Sequence, residues 1–255
     1  MIRATALLAL LALPAIAQAA DGAAIYRAIT AIRPDRLAKD APKIPESAYV
    51  KAVGGRPATG IEFVDGEKAG KGWGVQLYDL PVSVLWKAVN DDGDQAGRLP
   101  VSVSADVAGQ RFHSGRYLFQ FMPLPIVSDR WWVVHILHNA ALYKDSNGTF
   151  WEQSWTDATD PSRVQGTQYA SYLQQGIPVA FTKGSWLLMK VDDQHTLAEY
   201  FAWSDPGGSL PAGPASRFAG GAIKNALEAM GKLAADLQKG PDPKGFVKPD
   251  GTPLK

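Results

Sequence analysis

A run of strand-like segments between residues 99 and 203 restricts the possible folds more than any other feature of the sequence. The segments are rich in β-branched and aromatic residues and are separated by turn signals such as Gly109-Gln110 and Asp192-Asp193. They cover residues 99–108, 111–122, 131–143, 149–157, 165–174, 177–191 and 195–203, with a break expected at Lys183-Gly184. Because strands joined by such short turns pair with their neighbours, the sequence predicts an antiparallel sheet of six or seven strands.

A long amphipathic helix follows the last strand-like segment. Over residues 214–238, large apolar side chains recur at helical spacing and form one stripe. The stripe consists of Phe218, Ile223, Leu227, Met230, Leu233 and Leu237. This stripe has to be buried, and the sheet is the available partner. With a strand and a short helix over 74–90, where Pro81 suits a first helical turn, the sequence predicts an α+β fold. In this fold a curved antiparallel sheet wraps around the long C-terminal helix.

The first 19 residues have the organisation of a secretory signal peptide. Arg3 precedes an apolar run, and Ala17-Gln18-Ala19 is typical of a cleavage site. Cleavage would leave 25 basic and 25 acidic residues, and a neutral chain is a poor partner for nucleic acid. The absence of cysteine excludes disulfides and thiol chemistry, and no later apolar run approaches the roughly 18 residues of a membrane-spanning helix. We therefore expect a periplasmic or secreted protein without nucleic-acid partners.

The segments on either side of the sheet and helix are short and polar. Residues 20–71 contain a helix-like pattern at 23–38, followed by a loop region with one short strand near Ile61. Residues 239–255 contain 4 Pro and 3 Gly and few apolar side chains, so they are predicted to form a flexible tail.

Aromatic side chains are concentrated on one face of two predicted strands. Tyr117, Phe119 and Phe121 alternate along segment 111–122, and Trp151 and Trp155 share a face of the strand over 149–157. We expect both faces to be turned toward the helix. Large rings with few aliphatic neighbours suit a cavity wall as well as a solid core, and periodicity alone leaves both open.

Three motifs occur in order within residues 72–238. They are the strand and helix of 74–92, the sequence Ser128-Asp129-Arg130 before a strand, and Asp205-Pro206-Gly207-Gly208-Ser209-Leu210-Pro211 before the last helix. The chain thereby resembles a START-type lipid-transfer domain, a member of the helix-grip superfamily, as a bacterial secreted or periplasmic representative. The resemblance implies a START-like domain over 72–238 with a hydrophobic cavity between sheet and C-terminal helix.

The motif that begins at Asp205 also has a physical interpretation that does not depend on the resemblance. Gly207 and Gly208 can adopt positive φ and turn the chain off the last strand, while Asp205 can accept hydrogen bonds from amides of the turn. Arg130 in the second motif has two interpretations. The favoured one is a structural pairing within the fold, and the other is contact with a polar ligand head group.

The sequence contains no recognisable catalytic motif. Nucleophile elbows, zinc-protease motifs and phosphate-binding glycine loops are absent. His135 and His138 are three apart in a predicted strand, so they fall on opposite faces and cannot bind one metal together. Asp91-Asp92 and Asp192-Asp193 are interpreted as solvated turn residues. The sequence therefore predicts no catalytic residue, no metal site and no cofactor.

The predicted function is binding and transfer of one hydrophobic molecule, such as a lipid, sterol or other terpenoid, by a monomer. A dry pocket supplies affinity at about 25 cal/mol per Å² of buried apolar area, and transient contact with a membrane is compatible with this function. The predicted ligand-binding residues are Tyr117, Phe119, Phe121, Arg130, Trp151, Trp155, Phe218, Ile223, Leu227 and Met230. Two alternatives stay open: a cyclase- or hydrolase-like enzyme of the same superfamily that uses His113 or His135 as acid or base, and an adaptor with a filled core.

Overall fold

The computed structural model describes residues 21–67, 69–208, 220–240 and 244–254. Within these ranges the structure contains both helices and strands. The helices are α1 (Gly22–Ala31), α2 (Glu46–Val53), α3 (Val82–Asn90), α4 (Ala140–Asp145) and α5 (Gly220–Lys239). The strands are β1 (Ala58–Glu62), β2 (Lys71–Tyr78), β3 (Val103–Ala108), β4 (Arg116–Met122), β5 (Asp129–His138), β6 (Phe150–Asp157), β7 (Gly176–Pro178), β8 (Phe181–Lys190) and β9 (Thr196–Asp205).

The described strands form a single sheet in the order β1-β2-β9-β8-β6-β5-β4-β3. Every pairing is antiparallel except that of the short β7, which runs parallel to the start of β5. The sheet is curved, and α5 lies against one of its faces. The predicted α+β architecture of a curved antiparallel sheet around a C-terminal helix is confirmed, with more strands than expected.

Two glycines of β2 allow α5 to pack close to the sheet. A Cβ atom at Gly74 would lie 2.7 Å from Cδ1 of Leu227, and one at Gly72 would lie 2.8 Å from Cδ1 of Ile223. The apolar stripe of α5 is buried here and against α3, where Trp86 is fully buried. We call the sheet face against α5 the inner face; Leu188 and Ala198 lie on it, and the opposite face is the outer face.

The outer face is covered by residues that precede the sheet in the chain. Ile25 and Ile29 of α1 and Tyr49 of α2 pack against Leu187 and Leu197. The region predicted as a helix followed by a loop therefore also contains α2, whose eight residues were not expected to be helical. The short strand expected near Ile61 is present as β1, which forms the edge strand of the sheet.

A buried ion cluster fastens this N-terminal layer to the outer face. Arg36 is fully buried and donates a 3.0 Å hydrogen bond from Nε to Glu152 and another from Nη1 to Glu199. Its Nη2 donates to Oγ of Ser185 at 2.9 Å, and the hydroxyl of Tyr49 donates to Glu199 at 2.6 Å. Since a buried charge is tolerated only when it is paired and hydrogen-bonded, the cluster makes the N-terminal layer part of the fold.

Two strand predictions are wrong, and the break expected at Lys183-Gly184 is absent, because β8 continues through both residues. The segment 165–174 forms turns and a 3₁₀ helix at Ala170–Gln174, because Tyr169, Tyr172 and Leu173 recur at three- and four-residue spacing and pack on the sheet together. The segment 131–143 contains β5 only to His138, after which α4 begins at Ala140.

The predicted flexible tail is packed where the structure describes it. Phe246 and Val247 are buried, and the Phe246 ring stacks on Phe112 with centroids 3.8 Å apart. Nε1 of Trp86 donates a 2.7 Å hydrogen bond to the carbonyl of Val247. These contacts, together with packing of Leu254 on the core, hold residues 244–254 in place. No helix among the described residues has the length and apolar character needed to cross a bilayer.

Candidate ligand-binding cavity

Two adjoining cavities lie between the inner face and α5. The larger has a volume of about 150 Å³, and we call it the apolar cavity. The smaller has a volume of about 80 Å³, and we call it the polar cavity. The apolar cavity is lined by Leu99, Pro100, Val101, Gln120, Met122, Trp132, Trp155, Val179, Thr182, Tyr200, Ala202, Ser204, Ala222, Ile223 and Ala226. The two cavities share Leu99, Gln120, Trp155, Tyr200 and Ala226, so they form one continuous site.

Aromatic rings form much of the wall of the apolar cavity. The Tyr200 ring lies between two tryptophans, with centroid distances of 4.3 Å to Trp186 and 6.0 Å to Trp155. Trp132 donates a 2.8 Å hydrogen bond from Nε1 to Oε1 of Gln120, so its polar edge is satisfied by the wall itself. The rings of Trp132, Trp155 and Tyr200 therefore supply much of the apolar surface that a ligand would contact.

The polar cavity ends at a buried ion pair. Arg116 is fully buried and donates to Oδ2 of Asp92 from Nε at 3.0 Å and from Nη2 at 2.7 Å. Gln153, which also lines this cavity, accepts from Nη2 of Arg116 at 3.3 Å. Asp91 accepts a 2.8 Å hydrogen bond from Arg111. The interpretation of Asp91 and Asp92 as solvated turn residues is therefore wrong, because both carboxyl groups are buried by partners from β4 or the loop before it.

Burial raises the pKa of Asp92 to about 6, and Arg116 opposes this shift. The folded protein therefore binds this proton more tightly than the unfolded chain, in which the pKa of an aspartate is about 3.9. The stability that Asp92 contributes is present below about pH 4 and is lost as the pH rises through about 6.

The variant Asp92→Asn tests this dependence on pH. The free energy of unfolding of the wild type, minus that of the variant, should fall by about 2 kcal/mol between pH 4 and pH 7. Urea denaturation at a series of pH values measures this difference. The exposed neighbour Asp94 provides a control, since Asp94→Asn should follow the wild-type profile. Parallel profiles for the wild type and Asp92→Asn would contradict the assignment.

None of the four histidines lines either cavity. His138 is buried beside Arg116, with 3.3 Å between Nε2 and Nη1, and its burial and that cation lower its pKa to about 3. His135 stacks on Tyr117 at 4.6 Å, and His195 bonds to Asp192 in an exposed turn. Within the described residues, no group of three or more potential ligands is arranged to hold a metal ion.

Three of the residues predicted to bind a ligand line the cavities: Trp155, Ile223 and Met230. Two others lie on the same side of the sheet but belong to the solid core. Trp151 packs edge-on against Trp86 at 5.5 Å, and Leu227 packs over Gly74. Phe218 lies outside the described residues.

Tyr117, Phe119 and Phe121 lie on the outer face of β4, which corrects their expected position inside. They contact residues of 158–175, with ring centroids 4.8 Å apart between Phe121 and Tyr172. The inner face of β4 instead presents Leu118, Gln120 and Met122 to the cavities. The expectation failed because both faces of β4 are buried, so aromatic content does not show which face meets α5.

Arg130 holds the turn after β9 and does not line either cavity. It donates to the carbonyl of Pro206 from Nε at 2.6 Å, to that of Gly207 from Nη2 at 3.0 Å, and to that of Ser128. Gly207 and Gly208 have φ of 68° and 65°, and Oδ1 of Asp205 accepts from the Gly207 amide at 2.8 Å. The structural interpretation of Arg130 and of this turn is therefore confirmed, and the arginine joins two of the three sequence motifs.

The sequence-based set of residues missed the central row of the site. Gln153, Trp186 and Tyr200 lie directly opposite one another on β6, β8 and β9. Trp155 leans over Gly184 of the neighbouring strand, where a Cβ atom would lie 2.3 Å from its ring. The pairing register of the three strands would have revealed the row, but turn signals alone do not determine that register.

No family model matches the chain, and no curated protein matches it significantly in sequence. Solved structures do match it. A STAR-related lipid transfer protein from Xanthomonas axonopodis has a TM-score of 0.55 at 16% identity, with 70% of this chain and 93% of that chain covered. Human StAR-related lipid transfer protein 5 has a TM-score of 0.57 at 12% identity, covering 71% and 83%. Human STARD10 has a TM-score of 0.54 at 14% identity, covering 72% and 71%.

At these identities the likeness concerns the fold. The chain therefore has the START-type, helix-grip fold.

Proposed function

We propose that the protein binds one hydrophobic small molecule in the apolar cavity and carries it without a covalent step. The observation that carries this proposal is the enclosed space between the inner face and α5, with Trp132, Trp155, Tyr200 and Ile223 in its wall. Two of the similar structures are named lipid transfer proteins, which supports it further. Binding by burial of apolar surface requires no catalytic group.

Uptake of a lipid, sterol or terpenoid requires the site to widen. The cavities of about 150 and 80 Å³ are smaller than the roughly 300–1,000 Å³ of typical ligand pockets. The loop 97–101 and α5 form adjacent parts of the wall, and Nη1 of Arg98 pairs with Oδ2 of Asp236 at 2.9 Å. Since an exposed ion pair is weak, separation of this loop from α5 is the motion we propose for widening the site.

Export to the periplasm and transient contact with a membrane are parts of the same proposal. The signal-like residues 1–19 lie outside the described ranges and support the location by sequence alone. Phe63 and Ile126 have 83% and 102% of their surface exposed. They follow the last residues of β1 and β4, at the end of the sheet where Met122 and Ser204 line the apolar cavity. Exposed apolar side chains there would let the site face a lipid surface.

Mass spectrometry of an organic extract tests the carrier proposal. The protein is purified without detergent from the periplasmic fraction, and its extract is compared with that of an unrelated periplasmic protein. We expect one hydrophobic compound at close to one equivalent per chain. Empty protein that also fails to bind a panel of fatty acids, phospholipids and sterols would contradict the proposal. Such an outcome would favour an adaptor with a filled core.

A further inference from the structure

The hydroxyl of Tyr200 stands out among the polar groups of the site. Tyr200 lines both cavities, so its side chain lies where they join. Its hydroxyl makes no hydrogen bond within the described part of the chain, and burial raises its pKa well above the usual value, so the group keeps its proton. The side chain is only partly buried, so the hydroxyl is accessible from the cavity, and a polar ligand atom placed there can form a hydrogen bond with it.

Most of the other polar side chains of the apolar cavity already have partners. Gln120 accepts from Trp132 at 2.8 Å and donates to Oγ of Ser104 at 3.1 Å. The hydroxyls of Thr182 and Ser204 share a hydrogen bond of 2.7 Å. Tyr200 and Nε1 of Trp155 make no hydrogen bond within the described residues, and of these two groups only the Tyr200 hydroxyl can both donate to and accept from a polar atom of the ligand.

The size and charge of the site restrict that ligand further. A cavity of about 150 Å³ has the size that holds a single aromatic ring in an apolar protein core. Flat surfaces of Trp155 and Tyr200 suit a ring better than an acyl chain. An anionic head group in the polar cavity would be repelled by the Asp92 carboxylate. Arg116 would not offset this repulsion, because it is already paired with that carboxylate. Neutral polar groups are thus favoured.

We propose that the ligand is a compact hydrophobic ring compound with one neutral oxygen, and that Tyr200 selects it by a hydrogen bond to that oxygen. This inference rests on the proposed function. The ring occupies the apolar cavity, and the oxygen lies at its junction with the polar cavity. Tyr200 is on this account the specificity-determining residue of the site.

Binding of two matched probes tests this proposal. p-Cresol and p-xylene have nearly the same shape, each with a single ring, and only the first carries an oxygen. Equilibrium dialysis measures the Kd of each probe for the wild type, for Tyr200→Phe, and for Tyr172→Phe on the outer face as a matched control. Circular dichroism confirms that each variant is folded. We expect Tyr200→Phe to raise the Kd of p-cresol about tenfold and to leave that of p-xylene within about twofold.

The possible outcomes separate this inference from the carrier proposal. Equal effects of Tyr200→Phe on both probes, or the same loss of p-cresol binding in Tyr172→Phe, would overturn the role of Tyr200. If cholesterol or palmitate binds and neither p-cresol nor p-xylene does, the ligand class is overturned while the carrier proposal stands. If the wild type binds none of the four compounds and its periplasmic extract is also empty, both proposals fall.

Discussion

Replacing Arg36 by methionine is expected to lower the free energy of unfolding by about 3–5 kcal/mol, because it leaves two buried carboxylates without their cation. Glu152 and Glu199 are both fully buried, and each accepts a hydrogen bond from Arg36. Burial pushes the pKa of Glu199 upward, but Arg36 and its other partners hold it below the usual value. Methionine retains much of the volume of the arginine stem, so loss of charge is the main change. Urea denaturation at pH 7 measures the effect.

Two further variants show whether the ion cluster is the cause. Arg27 forms an exposed ion pair with Asp21, and Arg27→Met should change the stability by less than about 0.5 kcal/mol. The double variant Arg36→Met/Glu199→Gln should be less destabilised than the sum of the single variants, since it removes one stranded charge together with its partner. Additive effects, or a stable Arg36→Met protein, would contradict the assigned role.

Replacing Ala226 by phenylalanine is expected to abolish ligand binding while the protein stays folded. Ala226 lies on α5 and lines both cavities, so a ring at this position occupies the space of the ligand. At about 25 cal/mol per Å², losing little more than 100 Å² of buried ligand surface already weakens binding about a hundredfold. The cavities absorb the ring, so we expect destabilisation of less than about 3 kcal/mol.

The adjacent residue on α5 provides a matched control for this prediction. Asn225 is exposed, so Asn225→Phe adds the same ring outside the site and should leave ligand binding unchanged. The measurement compares the hydrophobic compound extracted from each variant with that from the wild type, and thermal unfolding reports the fold. Wild-type amounts of the compound in Ala226→Phe would show that the ligand binds elsewhere.

Strand β4 shows which features of the sheet could be predicted from the sequence and which could not. Alternation along β4 separates Phe119 and Phe121 from Leu118 and Gln120, and this separation is confirmed. The assignment of the aromatic set to the inside was wrong, because residues 158–175 bury the outer face as fully as α5 buries the inner one. A two-residue period identifies two faces but not their neighbours.

Asp91 and Asp92, which follow α3, also show that a local pattern does not reveal contacts with residues elsewhere in the fold. Asp91 and Asp92 have the residue types of a solvated turn, and they do follow the end of a helix. Their burial depends on Arg111 and Arg116, which come from a distant part of the chain. Local composition contains no signal for such a pairing, so the polar end of the site could not be predicted.

The sequence by itself determined the parts of this protein that depend on neighbouring residues. The strand and helix around Pro81, the amphipathic stripe of α5 and the positive-φ turn at Gly207-Gly208 follow from local periodicity and backbone sterics. Only the tertiary structure decided which face encloses the cavity and how the N-terminal layer is attached. Those features rest on contacts such as Arg36 with Glu152, 116 residues apart, whose energy depends on burial and geometry that no local pattern encodes.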